Sequence, residues 1–188
     1  MPTPTYNFQN AVSKKNCEYI IDYCSSNYKM TTAPKCPMPE ELRPGVSFID
    51  GTSQRDKDVQ SMMQNFITEA NDNFFHYDII GFENPQFAKY EDGNYYDWHQ
   101  DYFPDLTEKP CRKLTVGLSL SEYNESGGHL EFFNGEKLTP EGLVLLHEKT
   151  NSLGTAIVFA STEWHRVTPI KNGVRYSLVC WSQGPYFK

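Results

Sequence analysis

The sequence predicts a mainly β protein, a jelly-roll-like β-sandwich with helices covering one outer face. Three observations lead there. Two amphipathic helical stretches occupy the first 76 residues, and seven or eight strand-like stretches fill residues 77–188. Gly, Asn, Asp or Pro stands at most of the joints between those stretches. The third observation is size: 188 residues, with no internal repeat or low-complexity run, is the length of a single domain able to bury a real core.

Taken in order, Ser13 is placed to cap a helix in which Cys17, Ile20, Ile21 and Cys24 recur at i, i+3, i+4 and i+7. A Pro- and Thr-rich loop from Thr31 to Pro44 follows, and Gly45 to Asp50 alternates like a short strand. Ser53 opens a second helix with Val59, Met62, Met63, Phe66, Ile67 and Ala70 on one stripe, a face suited to packing on a sheet. The strand-like stretches are 77–82, 86–90, 95–101, 112–121, 130–133, 156–159, 163–167 and 175–182. Gly127-Gly128 and Asn172-Gly173 are tight-turn signals, the second a hairpin marker. The expected organisation is one catalytic domain over 1–188. Residues 1–76 form a mostly helical support and 77–188 the β core.

Composition removes several classes of function. Hydrophobic residues make up 38% and aromatics 14%, enough to pack two sheets together. A net charge of −7 without a Lys/Arg cluster argues against nucleic acid and against a polybasic membrane anchor. No apolar run approaches membrane-spanning length, and the start of the chain shows no secretory leader. The five cysteines are scattered without a C-x-x-C pair, which fits reduced thiols and a cytoplasmic location. The Asn124-Glu125-Ser126 sequon then carries no meaning.

The chemistry gathers around Tyr90 to Asp101, which ends in His99-Gln100-Asp101. On a strand, alternate side chains share a face, so His99 and Asp101 project together while Gln100 points away. A metal needs a third ligand from a distance, and His165 is the candidate, about 60 residues later. Two histidines and a carboxylate with open positions are the ligand set of non-haem Fe(II) oxygenases. Arg175, ten residues beyond His165, is a natural anchor for an acidic co-substrate. His129 is passed over as a ligand because the set is already complete, and His76 and His147 read as surface or capping residues.

From about Gln86 to Pro185 the chain resembles the Fe(II)/2-oxoglutarate-dependent dioxygenases, specifically their prolyl 4-hydroxylase-like branch. The carrying residues are Tyr90, His99-Gln-Asp101, Arg112-Lys-Leu-Thr115-Val, Gly127-Gly128-His-Leu-Glu-Phe, His165-Arg-Val-Thr-Pro169 and Arg175-Tyr-Ser-Leu-Val-Cys-Trp181. The resemblance implies a double-stranded β-helix with Fe(II) on His99, Asp101 and His165. It implies 2-oxoglutarate bound by Arg175 and Tyr90, with Thr115 and Ser177 as additional donors, and O2 as the oxidant. It further implies hydroxylation of an unactivated C–H, with release of succinate and CO2 and with ascorbate as a reductant. On the substrate side, Arg112 and Trp181 fall beside the target proline, and Tyr96 and Trp98 crowd the approach to the metal. The stretch Gly93 to Trp98 is expected to act as a lid.

The implied partner is a proline-containing peptide or protein. A free amino acid, another small metabolite, or a non-catalytic jelly-roll that merely binds an acid are the alternatives. Collagen-type members generally carry Lys where this chain has Arg175, which weakens a collagen-like substrate without altering the reaction class.

Overall fold

The chain opens with strand β1 (Thr5–Phe8), helix α1 (Lys14–Asn27), β2 (Thr31–Thr32), a 3-10 turn (Glu40–Leu42), β3 (Gly45–Phe48) and helix α2 (Gln54–Ala70). A π-helical turn (Asn71–Phe75) leads into β4 (Gly81–Phe82), β5 (Gln86–Tyr90), β6 (Tyr96–His99) and β7 (Cys111–Ser119). The remaining strands are β8 (Leu130–Phe133), β9 (Val144–Leu146), β10 (Ala156–Ala160), β11 (His165–Val167) and β12 (Arg175–Gly184). The computed structural model describes residues 4–33, 38–102, 110–122, 127–133, 144–146 and 152–186. His147, Cys36 and the Asn124 sequon lie outside them.

Two sheets face one another. The larger runs β1-β10-β7-β12-β5-β3-β2 with β4 added to β12, and the smaller runs β6-β11-β8-β9. Central strands β7 and β12 are covered on both sides, so they read as nearly continuous apolar runs. Leu114, Val116, Leu118, Leu178 and Cys180 point outward into a core shared with Cys17, Ile20 and Cys24 of α1 and Val59, Met63, Ile67 and Ala70 of α2. Burying each large side chain of those helix stripes contributes roughly 1.5–3 kcal/mol, and this is what holds the helices on the sheet. A second core of Val46, Ala88, Leu130, Phe132, Phe159 and Val167 lies between the sheets. The arrangement is the jelly-roll expected.

Three differences from expectation matter. The first 76 residues are not only a helical support, because β1 pairs with β10, β3 with β5 and β2 with β3. An uncovered β10 would expose a row of unpaired backbone groups, and the four residues of β1 remove that edge. Asn172-Gly173 does turn the chain, with Gly173 at φ +95°, but makes no hairpin. It carries the chain from β11 in the smaller sheet to β12 in the larger one. Gly127-Gly128, likewise, serves a close approach: Gly127 bridges to Ile170, and a Cβ there would sit 1.9 Å from the Pro169 carbonyl oxygen. Gly128 in turn lies beside Arg175, whose Cδ a Cβ there would meet at 3.1 Å.

Candidate metal centre

Pairing of β11 with β6 sets His165 directly opposite His99, and their ring centroids are 4.2 Å apart. Asp101, just past the end of β6, is buried between them. His99 Nε2 lies 3.7 Å from Asp101 Oδ1, and His165 Nε2 lies 3.6 Å from Oδ2. All three ligand atoms fall within 4.8 Å of one another. These distances are too long for hydrogen bonds and suit three donors converging on one ion.

The second nitrogen of each ring is committed. His99 Nδ1–H donates to the Asp97 carbonyl at 2.7 Å, and His165 Nδ1–H to the Glu163 carbonyl at 2.9 Å. A carbonyl can only accept, so in the neutral tautomer of each ring the proton sits on Nδ1 and the Nε2 lone pair is left for a metal. Burial, reinforced by the neighbouring His165, pushes the His99 imidazole down to about 4, so it is neutral at physiological pH. Burial alone would raise the Asp101 carboxyl, but the facing imidazoles, the Trp181 indole and the Arg112 guanidinium hold it below the ordinary range. Thr115 Oγ1 donates to Asp101 Oδ2 at 2.8 Å and is itself 3.0 Å from Ser161 Oγ. The Thr115 hydroxyl therefore orients the carboxylate, although the sequence suggests it as a co-substrate donor. Lone pairs, protonation and buttressing of these residues all fit a divalent cation.

The triad opens into a cavity of about 410 Å³ between the sheets. One wall carries Arg175, Ser177 and Tyr90, which β5–β12 pairing brings together by setting Arg175 opposite Tyr90. The Arg175 guanidinium lies 5.0 Å from the Tyr90 ring and donates to Ser177 Oγ at 3.1 Å. No described carboxylate pairs with it, and loss of solvent pushes its pKa down. Arg112 lines the cavity as well, its guanidinium 3.8 Å from the centre of the Trp181 ring. The Trp181 indole N–H is buried on the side of Asp101. Tyr96 lines the cavity too, its ring 4.2 Å from that of His99.

A family profile for the 2OG-Fe(II) oxygenase superfamily matches residues 85–183, the stretch that carries every one of these side chains. The chain belongs to the 2OG-Fe(II) oxygenase superfamily. Membership implies Fe(II), 2-oxoglutarate and O2 as its cofactor set. A PKHD-type hydroxylase of Aliarcobacter butzleri (strain RM4018) is 31% identical over 102 residues, 53% of this chain and 43% of that protein. The chain thus spans under half the length of this curated relative. Among solved structures, a Pseudomonas putida prolyl-4-hydroxylase superposes with a TM-score of 0.74 at 20% identity, covering 98% of this chain and 95% of the other. A Trichoplax adhaerens prolyl hydroxylase, in complex with a hypoxia inducible factor oxygen degradation domain peptide fragment, gives 0.72 at 19% identity, with 97% and 84% covered. The fold is that of the prolyl hydroxylases.

Two sequence expectations for the superfamily site need correction. Trp98 does not line the cavity. It neighbours His99 on β6 and so faces the other way, packing on Phe133 with Arg166 over its ring at 4.7 Å. Tyr96 escapes the same fate because the β6–β11 register shifts between His165 and Val167, turning both Tyr96 and His99 inward. The stretch Gly93 to Trp98 is fastened rather than free. Gly93 N–H and the Asn94 carbonyl bond Ile170 at 2.8 and 3.0 Å, and Tyr95 N–H bonds the Leu42 carbonyl at 3.1 Å. Asp97 N–H bonds Met38 Sδ at 3.2 Å as well.

Other cavity residues escaped the sequence reading: Ala33, Phe48, Gln86, Gly117 and Val179. Of these, Gly117 and Val179 share a strand face with Thr115 and Ser177, and Gln86 too was accessible beforehand. It lies on β5 two and four residues before Ala88 and Tyr90, and strand alternation puts all three on one face.

Proposed function

We propose that residues 1–188 form one catalytic domain, an Fe(II)- and 2-oxoglutarate-dependent dioxygenase that hydroxylates an unactivated C–H of a prolyl residue in a peptide or protein. One observation carries the reading. A guanidinium with no carboxylate partner among the described residues shares a cavity with two imidazoles and a carboxylate whose lone pairs converge. His99, Asp101 and His165 would hold the iron. The Arg175 fork matches the far carboxylate of 2-oxoglutarate in a bidentate pair, with Ser177 and Tyr90 orienting it.

With iron, 2-oxoglutarate and O2 bound, that set supplies oxidative decarboxylation to succinate and CO2 coupled to C–H hydroxylation. The chain's own residues bind, orient and exclude water. Thr115 and Ser161 fix the Asp101 carboxylate, and the Asp97 and Glu163 carbonyls hold the two rings with Nε2 turned toward the ion. Arg112, Trp181 and Tyr96 form the side toward the substrate, and the peptide bound to the Trichoplax relative supports a peptide partner for this chain. Ascorbate would serve as reductant. Four buried free cysteines favour a reducing, cytoplasmic compartment. Among the described residues no helix is long and apolar enough to cross a membrane.

The test is to supply Fe(II), 2-oxoglutarate, ascorbate and air with a panel of proline-containing peptides. Succinate formation and a gain of one oxygen on proline are expected. His99→Ala or Asp101→Ala should abolish turnover; wild-type turnover in either overturns the reading. Tight metal binding without consumption of 2-oxoglutarate would instead leave a binding module.

A further inference from the structure

Glu83 lies outside the cavity, just beyond β4, yet it is tied into the metal centre by way of Arg112. Its backbone is anchored to β12: its N–H donates to the Trp181 carbonyl at 2.9 Å, and its own carbonyl accepts from Cys180 Sγ at 3.4 Å. Its carboxylate accepts Arg112 Nε at 2.7 Å and Nη2 at 2.6 Å, a bidentate pair, with Gln183 Nε2 a third donor at 3.3 Å. The third nitrogen of the same fork, Arg112 Nη1, stands 4.0 Å from Asp101 Oδ1.

That spacing has a chemical meaning. Asp101 Oδ2 is occupied by Thr115, so Oδ1 is the oxygen with no hydroxyl on it, and it faces both His99 Nε2 and Arg112. An arginine beside a carboxylate in a desolvated site closes on it as a strong charge-assisted pair. Such a pair would occupy the lone pairs a cation needs. We propose that Glu83 is a positioning residue for the metal centre: it captures the Arg112 guanidinium and holds it off Asp101, keeping that carboxylate free to ligate. The proposal rests on the metal reading of His99, Asp101 and His165.

The experiment is a titration of the metal-stripped, full-length protein with Co(II), followed by its visible absorption, in wild type and variants. Glu83→Gln keeps the size of the side chain and removes the charge that holds the fork. It is expected to weaken Co(II) binding by about ten- to a hundred-fold, with an unchanged melting temperature. Adding Arg112→Gln to that variant removes the competitor and should restore wild-type affinity. Arg112→Gln alone should bind Co(II) at least as tightly as wild type, which keeps the test decisive if Glu83→Gln does not fold. Wild-type affinity in Glu83→Gln, failure of the double variant to recover, or weakened binding in Arg112→Gln would each overturn the proposal. If wild type itself binds no Co(II), the metal reading beneath it fails instead.

Discussion

At His99 a backbone carbonyl two residues upstream decides which nitrogen carries the proton, and burial decides that there is only one proton to carry. The consequence is a pH dependence with a definite sign. In the metal-free fold the imidazole stays neutral down to about 4, whereas the unfolded chain takes up its proton near the ordinary 6.5. Between those values the unfolded state binds more protons, so the metal-free protein should lose stability as pH falls through that window. Thermal melts across it should show the slope, and His99→Gln should flatten it. Arg175 predicts the opposite separation of stability from binding. Its guanidinium is desolvated against one hydroxyl and one ring, without a counter-charge among the described residues, an arrangement that costs the fold free energy. Arg175→Met should leave the melting temperature unchanged or raised while weakening 2-oxoglutarate by roughly two orders of magnitude, as loss of a buried charge partner does. A titration of 2-oxoglutarate in the presence of Fe(II) checks the second part.

Among the elements, α2 is the one whose start the sequence marks most clearly, and its cap reaches further than the helix. Ser53 and Asp56 form a capping box, and Asp56 also accepts from Tyr28 at 2.5 Å and Tyr23 at 2.8 Å, both from the end of α1 and just beyond. Burial opposes the charged form of Asp56, but these hydrogen bonds outweigh it and hold the carboxyl well below its usual range. Its contribution is present above pH 3.8 and lost as pH falls below it. Asp56→Ala should therefore cost about 2–3 kcal/mol in denaturant unfolding at pH 7, by leaving two tyrosine hydroxyls and a helix N-terminus unsatisfied. Metal affinity should not change, since the network lies on the outer face of the larger sheet. Both helices were legible from spacing and capping residues, and most long strands from alternation between turn residues. The short strands were not. Thr5–Phe8 and Thr31–Thr32 are too brief to show a period, and only the edge each one covers makes it a strand.

For the whole molecule, a metal would join two places that are distant along the chain but adjacent in the fold: β6 with the turn that follows it, and β11. An ion that binds only the folded state stabilises it by about 2.7 kcal/mol at a hundred times its dissociation constant. Adding Fe(II) or Co(II) should thus raise the melting temperature, a chelator should reverse the shift, and His165→Ala should abolish it while leaving the fold intact.

By itself the sequence determined the ligand types, the order in which they occur, the arginine that follows them, and the jelly-roll class, because each depends on residue identity or on short-range periodicity. The tertiary structure alone decided what lies across a strand pair. A one-residue irregularity in the β6–β11 register turned Tyr96 inward and left Trp98 on the outer face. The pairing of β7 with β12 laid Arg112 on Trp181, and the return of the chain after β4 set Glu83 beneath both. Those contacts join residues up to a hundred positions apart, and neither the alternation of a strand nor the spacing of a motif extends over such a distance.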